Sequence, residues 1–313
     1  MTLKEEIAQR LTEAEGYING EQLAAELGKS RAAVWKAVKA LQKDGWKIVA
    51  VRNRGYALSD DNDLLSEQKI RAYLKTDMPV YYYPVIDSTN TQAKRLLAED
   101  EAACPALLVA NEQSAGRGRQ GKSFYSPADS GAYFSLVLKP EVSLQNAVSA
   151  TTAAAVAVCR ALERLTDAAP QIKWVNDVYL GSSKICGVLT EAVTDFESGT
   201  VNAVIIGIGV NVSTLKFPDD IPNAGSLGKK IKRAELIAAV TDELIKIAFC
   251  SSAEYIDYYR AHSMLIGRKI CFIENGRATA ATALEIDGRG GLVVKTENGK
   301  TKTLRSGEIS VKF

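Results

Sequence analysis

The chain has 313 residues and a mass of 33.8 kDa, enough for two or three domains with a substantial core. Its 46% hydrophobic and 24% charged residues are those of an ordinary globular protein, and no apolar segment approaches membrane-spanning length, which argues against a disordered or a membrane-spanning chain. The net charge of +2 is too small to identify a partner, so any nucleic-acid signal must be local. Cys104, Cys159, Cys186, Cys250 and Cys271 are odd in number, scattered and never spaced C-x-x-C, and no apolar signal segment follows Lys4, Glu5 and Glu6. Both features point to reduced thiols in a cytoplasm. His262 is the only histidine, so a Ser-His-Asp triad, a Cys-His pair or a multi-histidine zinc site must use it or be absent. It is expected near a helix end in a capping or surface role, and any nucleophile is then expected to arrive with the substrates.

In chain order, Leu3, Ile7 and Leu11 give a helical stripe that Gly16 interrupts. A second helix is predicted from about Gly20 to Leu27 with Gly28 as its stop, and a third from Arg31, capped by Ser30, to about Asp44, with Gly45 marking its end. Val34, Val38 and Leu41 of this third helix face inward, while Ala32, Trp35, Lys36 and Lys39 look outward together. Trp46 to Val51 and Tyr56 to Leu58 flank the turn Arg52, Asn53, Arg54, Gly55, which makes a wing with two arginines at its tip. From Lys29 to Arg54 there are eight basic residues against one acid, Asp44. That bias is the footprint of a phosphate-binding surface, so the unit reads as a winged helix-turn-helix bound to DNA through Ser30, Arg31, Ala32, Trp35, Lys36, Lys39, Arg52 and Arg54. The competing reading is a winged helix that contacts another protein.

After an acidic linker, Ser59 to Asp63, Ser66 caps a predicted helix through Leu74, and Val80 to Ile86 reads as a strand. Asp87, Ser88, Thr89 and Asn90 then open a helix continued by Ala93, Leu96 and Leu97. These residues are good caps, and the same terminus can offer hydroxyl and amide groups to a polar ligand. The apolar run Ala106 to Ala110 is a buried strand leading into Asn111 to Phe124, predicted as a loop. Here three glycines (Gly116, Gly118, Gly121) alternate with three cations (Arg117, Arg119, Lys122). The pattern formally satisfies G-x-G-x-x-G, but Ser123 to Pro127 and Gly131 follow where a dinucleotide fold needs a helix, so the loop reads as an anion clamp of another kind.

A strand is expected over Gly131 to Leu138, a helix over roughly Leu144 to Leu165, a strand pair over Ile172 to Leu180, and strands over Ser183 to Glu191 and Val201 to Val212. Polar Lys173, Asn176, Asp177 and Lys184 interrupt the apolar pattern, and charges there must be liganded or paired, Lys184 with Glu191 or Asp177. Gly207 and Gly209 mark close approach to the last of these strands. A loop over Phe217 to Gly228 precedes helices near Arg233 to Phe249 and Ala253 to His262. Beyond Leu265, turns at Glu274 to Gly276, Asp287 to Gly291 and Glu297 to Gly299 indicate a small β-barrel.

With Gly20 to Leu23 and Ser30 to Ala33 in the helix-turn-helix, Asp87 to Asn90, Gln113 to Arg119, Lys173 to Asp177 and Lys184 to Gly187, the chain resembles the bifunctional biotin protein ligase and biotin-operon repressor family over nearly its full length. The resemblance implies an α+β chain with a winged helix-turn-helix and linker (1–63), a mixed-sheet catalytic domain (64–262) and an SH3-like C-terminal barrel (263–313). It implies that biotin lies against Ser88, Thr89, Asn90 and Gln113, with Gly116, Arg117, Gly118, Arg119, Lys184 and Gly187 around it, and that ATP or the adenylate meets Arg119, Gly121, Lys122, Lys173, Trp174, Asn176 and Asn211. Arg117, Lys184 and Asp177 are implied to be catalytic.

Magnesium is implied by ATP, with no dedicated metal ligands readable. The implied partners are a biotin carboxyl carrier protein with an acceptor lysine, operator DNA and a second copy in a ligand-promoted dimer, without a membrane. Gln120 and Lys122 stand where the family commonly has further arginine, and Val175 where it frequently has proline. A lipoate-type ligase and a non-catalytic metabolite-responsive regulator are the alternatives.

Overall fold

In a computed structural model of the chain, described over residues 2–14, 16–44, 46–59, 63–100, 103–139, 147–194, 200–249, 252–274, 277–305, 307 and 309–311, the helix signals at the start of the sequence are realised with their caps. α1 (Leu3–Glu13) opens on a capping box in which the Thr2 hydroxyl accepts from the Glu5 N–H and the Glu5 carboxylate accepts from the Thr2 N–H. Asn19 caps α2 (Gly20–Glu26), and the Ser30 hydroxyl accepts from the Ala33 N–H to start α3 (Arg31–Lys43). Ile7, Leu11, Leu23, Val34, Val38, Leu41 and Ile48 form one buried core, each contributing about 1.5–3 kcal/mol of transfer free energy against the entropy of ordering the chain. β1 (Ile48–Val51) and β2 (Gly55–Leu58) pair antiparallel as the wing. Gly55 sits at φ +106°, and a Cβ there would lie 1.9 Å from the Ile18 carbonyl oxygen, so only glycine lets the wing close against the α1–α2 connection. Gly45, residues 60–62 of the expected linker and Cys250 lie outside the described residues.

The chain divides into two compact units, Met1–Ala72 and Tyr73–Phe313. α4 (Glu67–Tyr73) starts where expected, with the Ser66 hydroxyl accepting from the Lys69 N–H. The second unit is built on a seven-stranded mixed sheet from β3 (Val80–Ile86), β4 (Ala106–Gln113), β5 (Gly131–Leu138), β6 (Gln171–Lys173), β7 (Asp177–Leu180), β8 (Ser183–Thr194) and β9 (Val201–Asn211), in the order β3-β4-β5-β9-β8-β7-β6. β3 and β4 are parallel and the other neighbours antiparallel.

Every residue of β5 is buried, as both faces of the sheet are covered. α5 (Thr89–Glu99) packs Ala93 and Leu97 on one face with Leu108, Val137 and Ile205. On the other face lies α6 (Ala147–Leu165), whose Thr151 hydroxyl donates to Thr190 and whose small Ala and Val side chains allow close approach to the strands. Residues 144–146, expected to begin this helix, lie outside the described residues.

α7 (Arg233–Phe249) and α8 (Ser252–Ala261) follow. β10 (Lys269–Glu274), β11 (Arg277–Ile286), β12 (Leu292–Thr296), β13 (Thr301–Leu304) and β14 (Ile309–Val311) then form an antiparallel sheet in the order β13-β12-β11-β10-β14. The turn at 287–291 is held by Asp287, whose Oδ1 accepts from the Arg289 and Gly291 N–H groups. Residues 275–276 of the first expected turn lie outside the described residues. The fold is α+β, with a winged helix-turn-helix at one end of the sequence and the small antiparallel domain at the other.

Two strand ends differ from the sequence-based expectation: β8 continues past Glu191 to Thr194, where it still pairs with β9, and β4 continues past Ala110. Asn111, Glu112 and Gln113 continue β4 rather than starting the loop, because β3 extends alongside them and pairs Val85 with Glu112 and Ile86 with Gln113. Gln113 is therefore held on a sheet strand, a rigid base for a binding group.

Candidate active site

A cavity of about 880 Å³ opens on the α5 face of the seven-stranded sheet. Its floor exists because β8 and β9 carry glycine where larger residues would fill it. A Cβ on Gly207 would lie 2.2 Å from Asn90 Oδ1, and one on Gly209 would lie 2.4 Å from the Phe124 ring, which also covers Gly187 at 3.1 Å. The sequence signal of close approach is thus explained by two side chains of the protein itself.

Around this floor the start of α5 is tied down by buried hydrogen bonds. Gln113 Oε1 accepts from the Thr89 N–H at 2.9 Å and lies 3.2 Å from the Thr89 hydroxyl, while its Nε2 donates to the Ser126 hydroxyl at 2.8 Å. The Ser135 hydroxyl stands 2.7 Å from Thr89 Oγ1 and 2.6 Å from Asn90 Oδ1. Ser88 occupies the N-cap position without a side-chain cap hydrogen bond, and its N–H instead donates to Asp87 Oδ1. Capping alone therefore does not account for Ser88 and Thr89. Ser88, Thr89 and Gln113 line the cavity and offer donors and acceptors to a neutral polar ligand.

The basic loop stands over this floor. It makes no helix of the dinucleotide kind: a single 3₁₀ turn at Arg119–Gly121, with Gln120 at φ +55° and Gly121 at φ +75°, reverses it. The Gly118 N–H donates to the Lys122 carbonyl and the Phe124 N–H to the Gly116 carbonyl, so the loop folds back on itself as a narrow hairpin. Arg117, Gly118, Arg119 and Lys122 line the cavity, whereas Gly116 and Gly121 do not. Gly116 is required by the hairpin, since a Cβ would meet the Phe124 carbonyl oxygen at 2.3 Å.

Arg119 Nη1 donates to Asn176 Oδ1 at 3.1 Å, and Asn176 Nδ2 donates to the Val188 carbonyl, so loop and sheet share one polar seam. Arg117 reaches Glu191, whose carboxylate also accepts from Lys94 and Asn90. Burial opposes ionisation of Glu191, but the Lys94 and Asn90 hydrogen bonds, with the charges of Lys94 and Arg117, hold its carboxyl below the usual 4.5.

The opposite wall carries the polar residues that interrupted the strands. Lys173, Trp174, Asn176, Asp177, Lys184 and Gly187 all line the cavity, set on β6, β7, β8 and the turn between β6 and β7. Val175 follows Trp174 in a cis peptide bond. The Lys184 ammonium lies 2.7 Å from Asp177 Oδ1, so of its two expected carboxylate partners it takes Asp177, and Glu191 goes to Lys94 and Arg117. Asn211 is buried with its Nδ2 donating to the Gly225 carbonyl, and its Oδ1 lacks a hydrogen-bond partner among the described residues. The 217–225 loop closes this side, pairing its backbone with that of Lys184 and setting Phe217 edge-on to Tyr125 with ring centroids 6.3 Å apart.

The cavity therefore combines a neutral polar and apolar floor with five cations, Arg117, Arg119, Lys122, Lys173 and Lys184, and two acids, Asp177 and Asp220. It is suited to a ligand with an uncharged body and an anionic end. His262 is engaged elsewhere, stacked on Tyr258 with its ring nitrogens 2.9 Å from the Tyr258 carbonyl and 3.0 Å from Glu163. Burial pushes the cavity residue Tyr179 up to about 12, and pushes the Cys186 thiol beneath the floor well up, so both keep their protons near neutrality. Phe124, Ser135, Ser126 and Lys94 were not read from the sequence as site residues. Gly187 of β8 and Gly209 of β9 are the available sequence signal for Phe124.

In the first unit, Ala32, Lys36, Lys39, Arg52 and Arg54 are exposed and Trp35 is 53% exposed, on one helix and the wing. Arg31 is exposed and paired with Glu21 at 2.7 Å, a surface contact worth at most about 1 kcal/mol and readily exchanged for a phosphate. Asp44, the acid in the basic run, is neutralised by Lys4. Ser30 spends its hydroxyl on the helix cap.

This architecture and cavity are those of a protein ligase that joins a carboxylic-acid cofactor to a carrier. The sequence model of the biotin/lipoate A/B protein ligase family matches residues 82–211, a helix-turn-helix model matches 4–57, and the model of the biotin protein ligase C-terminal domain matches 265–312. The chain is 34% identical to the bifunctional ligase/repressor BirA of Bacillus subtilis, with 99% of each chain covered, and 28% identical to that of Escherichia coli, covering 95% of this chain and 93% of the relative. It also superposes on the biotin protein ligase of Aquifex aeolicus in complex with biotin and ATP, with a TM-score of 0.63 and 27% identity, over 75% of this chain and 98% of that one. The chain belongs to the bifunctional ligase/repressor BirA family.

The depressed Glu191 carboxyl has a measurable consequence. Its folded-state value lies below its unfolded value of about 4.5, so its contribution to stability is complete above that pH and is lost as pH falls through the folded value. Glu191→Gln is expected to melt at a lower temperature than the parent at pH 7, and the gap should narrow as pH is taken below about 4.5. Thermal denaturation followed by circular dichroism from pH 7 to pH 3 checks this; a gap of constant size would contradict it.

Proposed function

We propose that this protein is an ATP-dependent biotin protein ligase that also represses transcription in response to biotin. The observation that carries the ligase half is one cavity holding a polar floor and five cations. Biotin's uncharged ring system lies on the floor beside Ser88, Thr89, Asn90 and Gln113, and its carboxylate points toward Arg117 and Lys184. A carboxylate oxygen attacks the α-phosphorus of ATP, the bond to the bridging oxygen breaks, and pyrophosphate leaves. Arg117, Arg119, Lys122 and Lys173 meet the negative charge that builds on phosphorus and on the leaving group. The neutral amine of a carrier-protein lysine then attacks the acyl carbon of the mixed anhydride and expels AMP, forming an amide and releasing a proton. Asp177, held beside Lys184 at 2.7 Å, is placed to orient that amine.

Asn211 Oδ1, with one acceptor to spare, suits a donor on the nucleotide base. Among the described residues no group of three His, Cys, Asp or Glu side chains is arranged to hold a metal, so magnesium would arrive on the triphosphate. No described helix is long and apolar enough to cross a membrane, and a cytoplasmic location fits the scattered reduced cysteines. The acceptor is a biotin carboxyl carrier protein.

The winged helix supports the repressor half: α3 offers Trp35, Lys36 and Lys39 to the major groove, and Arg52 and Arg54 on the wing reach the phosphates beside it. One such unit makes few phosphate contacts, so a specific complex calls for two copies on a two-fold site. The adenylate is the signal, promoting a dimer by binding the dimer-competent state more tightly, with a coupling of about 1–3 kcal/mol.

Exchange of labelled pyrophosphate into ATP that depends on biotin, and not on lipoate or octanoate, is the expected result; dependence on lipoate would establish a lipoate-type ligase, and no exchange a non-catalytic regulator. Arg117→Ala and Lys184→Ala should each lower that exchange by about 30- to 1000-fold, the equivalent of roughly 2–4 kcal/mol, in a folded protein. Lys36→Ala and Arg54→Ala should each weaken operator binding and reduce the magnitude of the log–log salt slope by about one, with ligation untouched. In sedimentation, biotin plus ATP should shift the protein from monomer to dimer and raise operator affinity together; indifference of both to ligand would separate the ligase from the repressor.

A further inference from the structure

Arg117 does not stand free in the cavity. It rests against Glu191, with Nη2 3.3 Å from Oε1 and Nη1 3.5 Å from Oε2. Both contacts are long, and the Arg117 side chain is 45% exposed while that of Glu191 is 17% exposed. The same carboxylate holds a second cation more closely, with Lys94 Nζ 2.8 Å from Oε1, and it accepts from Asn90 Nδ2 at 2.9 Å. One largely buried acid thus serves a tight cation from α5 and a loose one from the basic loop.

For a substrate carboxylate to capture Arg117, Glu191 must give it up. A largely buried carboxylate left without a cation is costly, and the cost would be charged against substrate binding. Lys94 removes that obstacle because it stays when Arg117 turns away. We propose that Lys94 is a positioning residue for the substrate carboxylate: by neutralising Glu191 it leaves Arg117 free to swing from the cavity wall to the anionic end of biotin. This rests on the ligase reading given above and assigns its specificity for the charged end of the substrate to a residue that does not line the cavity. A lysine acting only as a strut between α5 and β8 would instead affect all ligands alike.

Calorimetric binding of biotin and of biotinol, its uncharged alcohol analogue, to the full-length protein distinguishes these roles. In Lys94→Gln the retained Glu191 holds Arg117 alone, so biotin should bind about tenfold more weakly, the size of one charge-assisted contact, with biotinol unaffected. Lys94→Arg keeps the charge and should stay within about twofold of the parent for both ligands. Lys94→Gln combined with Glu191→Gln should recover biotin affinity to within about threefold of the parent, because Arg117 then has no carboxylate to leave. The inference is overturned if Lys94→Gln binds biotin as the parent does, if it loses biotin and biotinol equally, or if the double variant is no better than the single one. A parent protein that binds neither ligand would sink the ligase reading itself and this inference with it.

Discussion

The absence of three side chains governs the geometry of the second unit. Sheets covered on both faces are ordinarily filled with branched residues, and among the Val, Ile and Leu residues of β8 and β9 stand Gly187, Gly207 and Gly209. Into the space that these glycines leave come Asn90 from the start of α5 and Phe124 from the end of the basic hairpin. Both are thereby fixed to the same two strands, and their chain segments are also joined directly by the Ser114 N–H donating to the Ile86 carbonyl and the Ala115 N–H to the Asp87 carbonyl. Asn90 carries Ser88 and Thr89 with it, and Phe124 anchors the stem of the hairpin that bears Arg117 and Arg119. Adding one methyl group at either β9 position would displace one of the two anchors, and overpacking of this kind typically costs about 1–3 kcal/mol.

Element identity was well read from the sequence, because caps and stops are local. Thr2 and Asn19 cap their helices without standing out in the sequence, while Ser30, Gly28 and Ser66 perform as their types predict. The strand–loop boundary at Asn111 differs because its strand character comes from pairing with β3, a partner 27 positions earlier that no local pattern reveals. The same limit applies to the site. Lys184 and Asp177 stand out as charges in apolar strands, and Arg117 as one of three cations among the glycines of a loop. Lys94 and Ser135 do not, since a lysine on a helix and a serine in a strand are unremarkable until Glu191 and Asn90 are found beside them. Five charged groups of similar appearance are sorted into roles by distance alone: 2.7 Å for Lys184 on Asp177 and 2.8 Å for Lys94 on Glu191, against 3.3 Å for Arg117.

In the first unit the corresponding constraint is the bridge between Ile18 and Tyr56. It binds the connection ahead of α2 to β2, made possible by Gly55, so the wing tip keeps its distance from the rest of the helix-turn-helix. Arg54 is further steadied over the Tyr17 ring, 4.7 Å from its centre. Arg52 and Arg54 are then presented from a braced hairpin rather than a free loop, which lowers the entropy lost when they meet a phosphate.

A cavity that supplies charge and shape but no reacting atom separates two properties that most enzymes entangle. On the ligase reading proposed above, the chemistry of activating a carboxylate belongs to the cations at one end, and would serve any acyl group. On the same reading, discrimination among acyl groups falls to the floor at the other end, which Val188, Leu189 and Ile208 help to line and where a methylene more or less is worth only about 1–3 kcal/mol. Such a scaffold can change its substrate by reshaping a few apolar contacts while its charged end stands still.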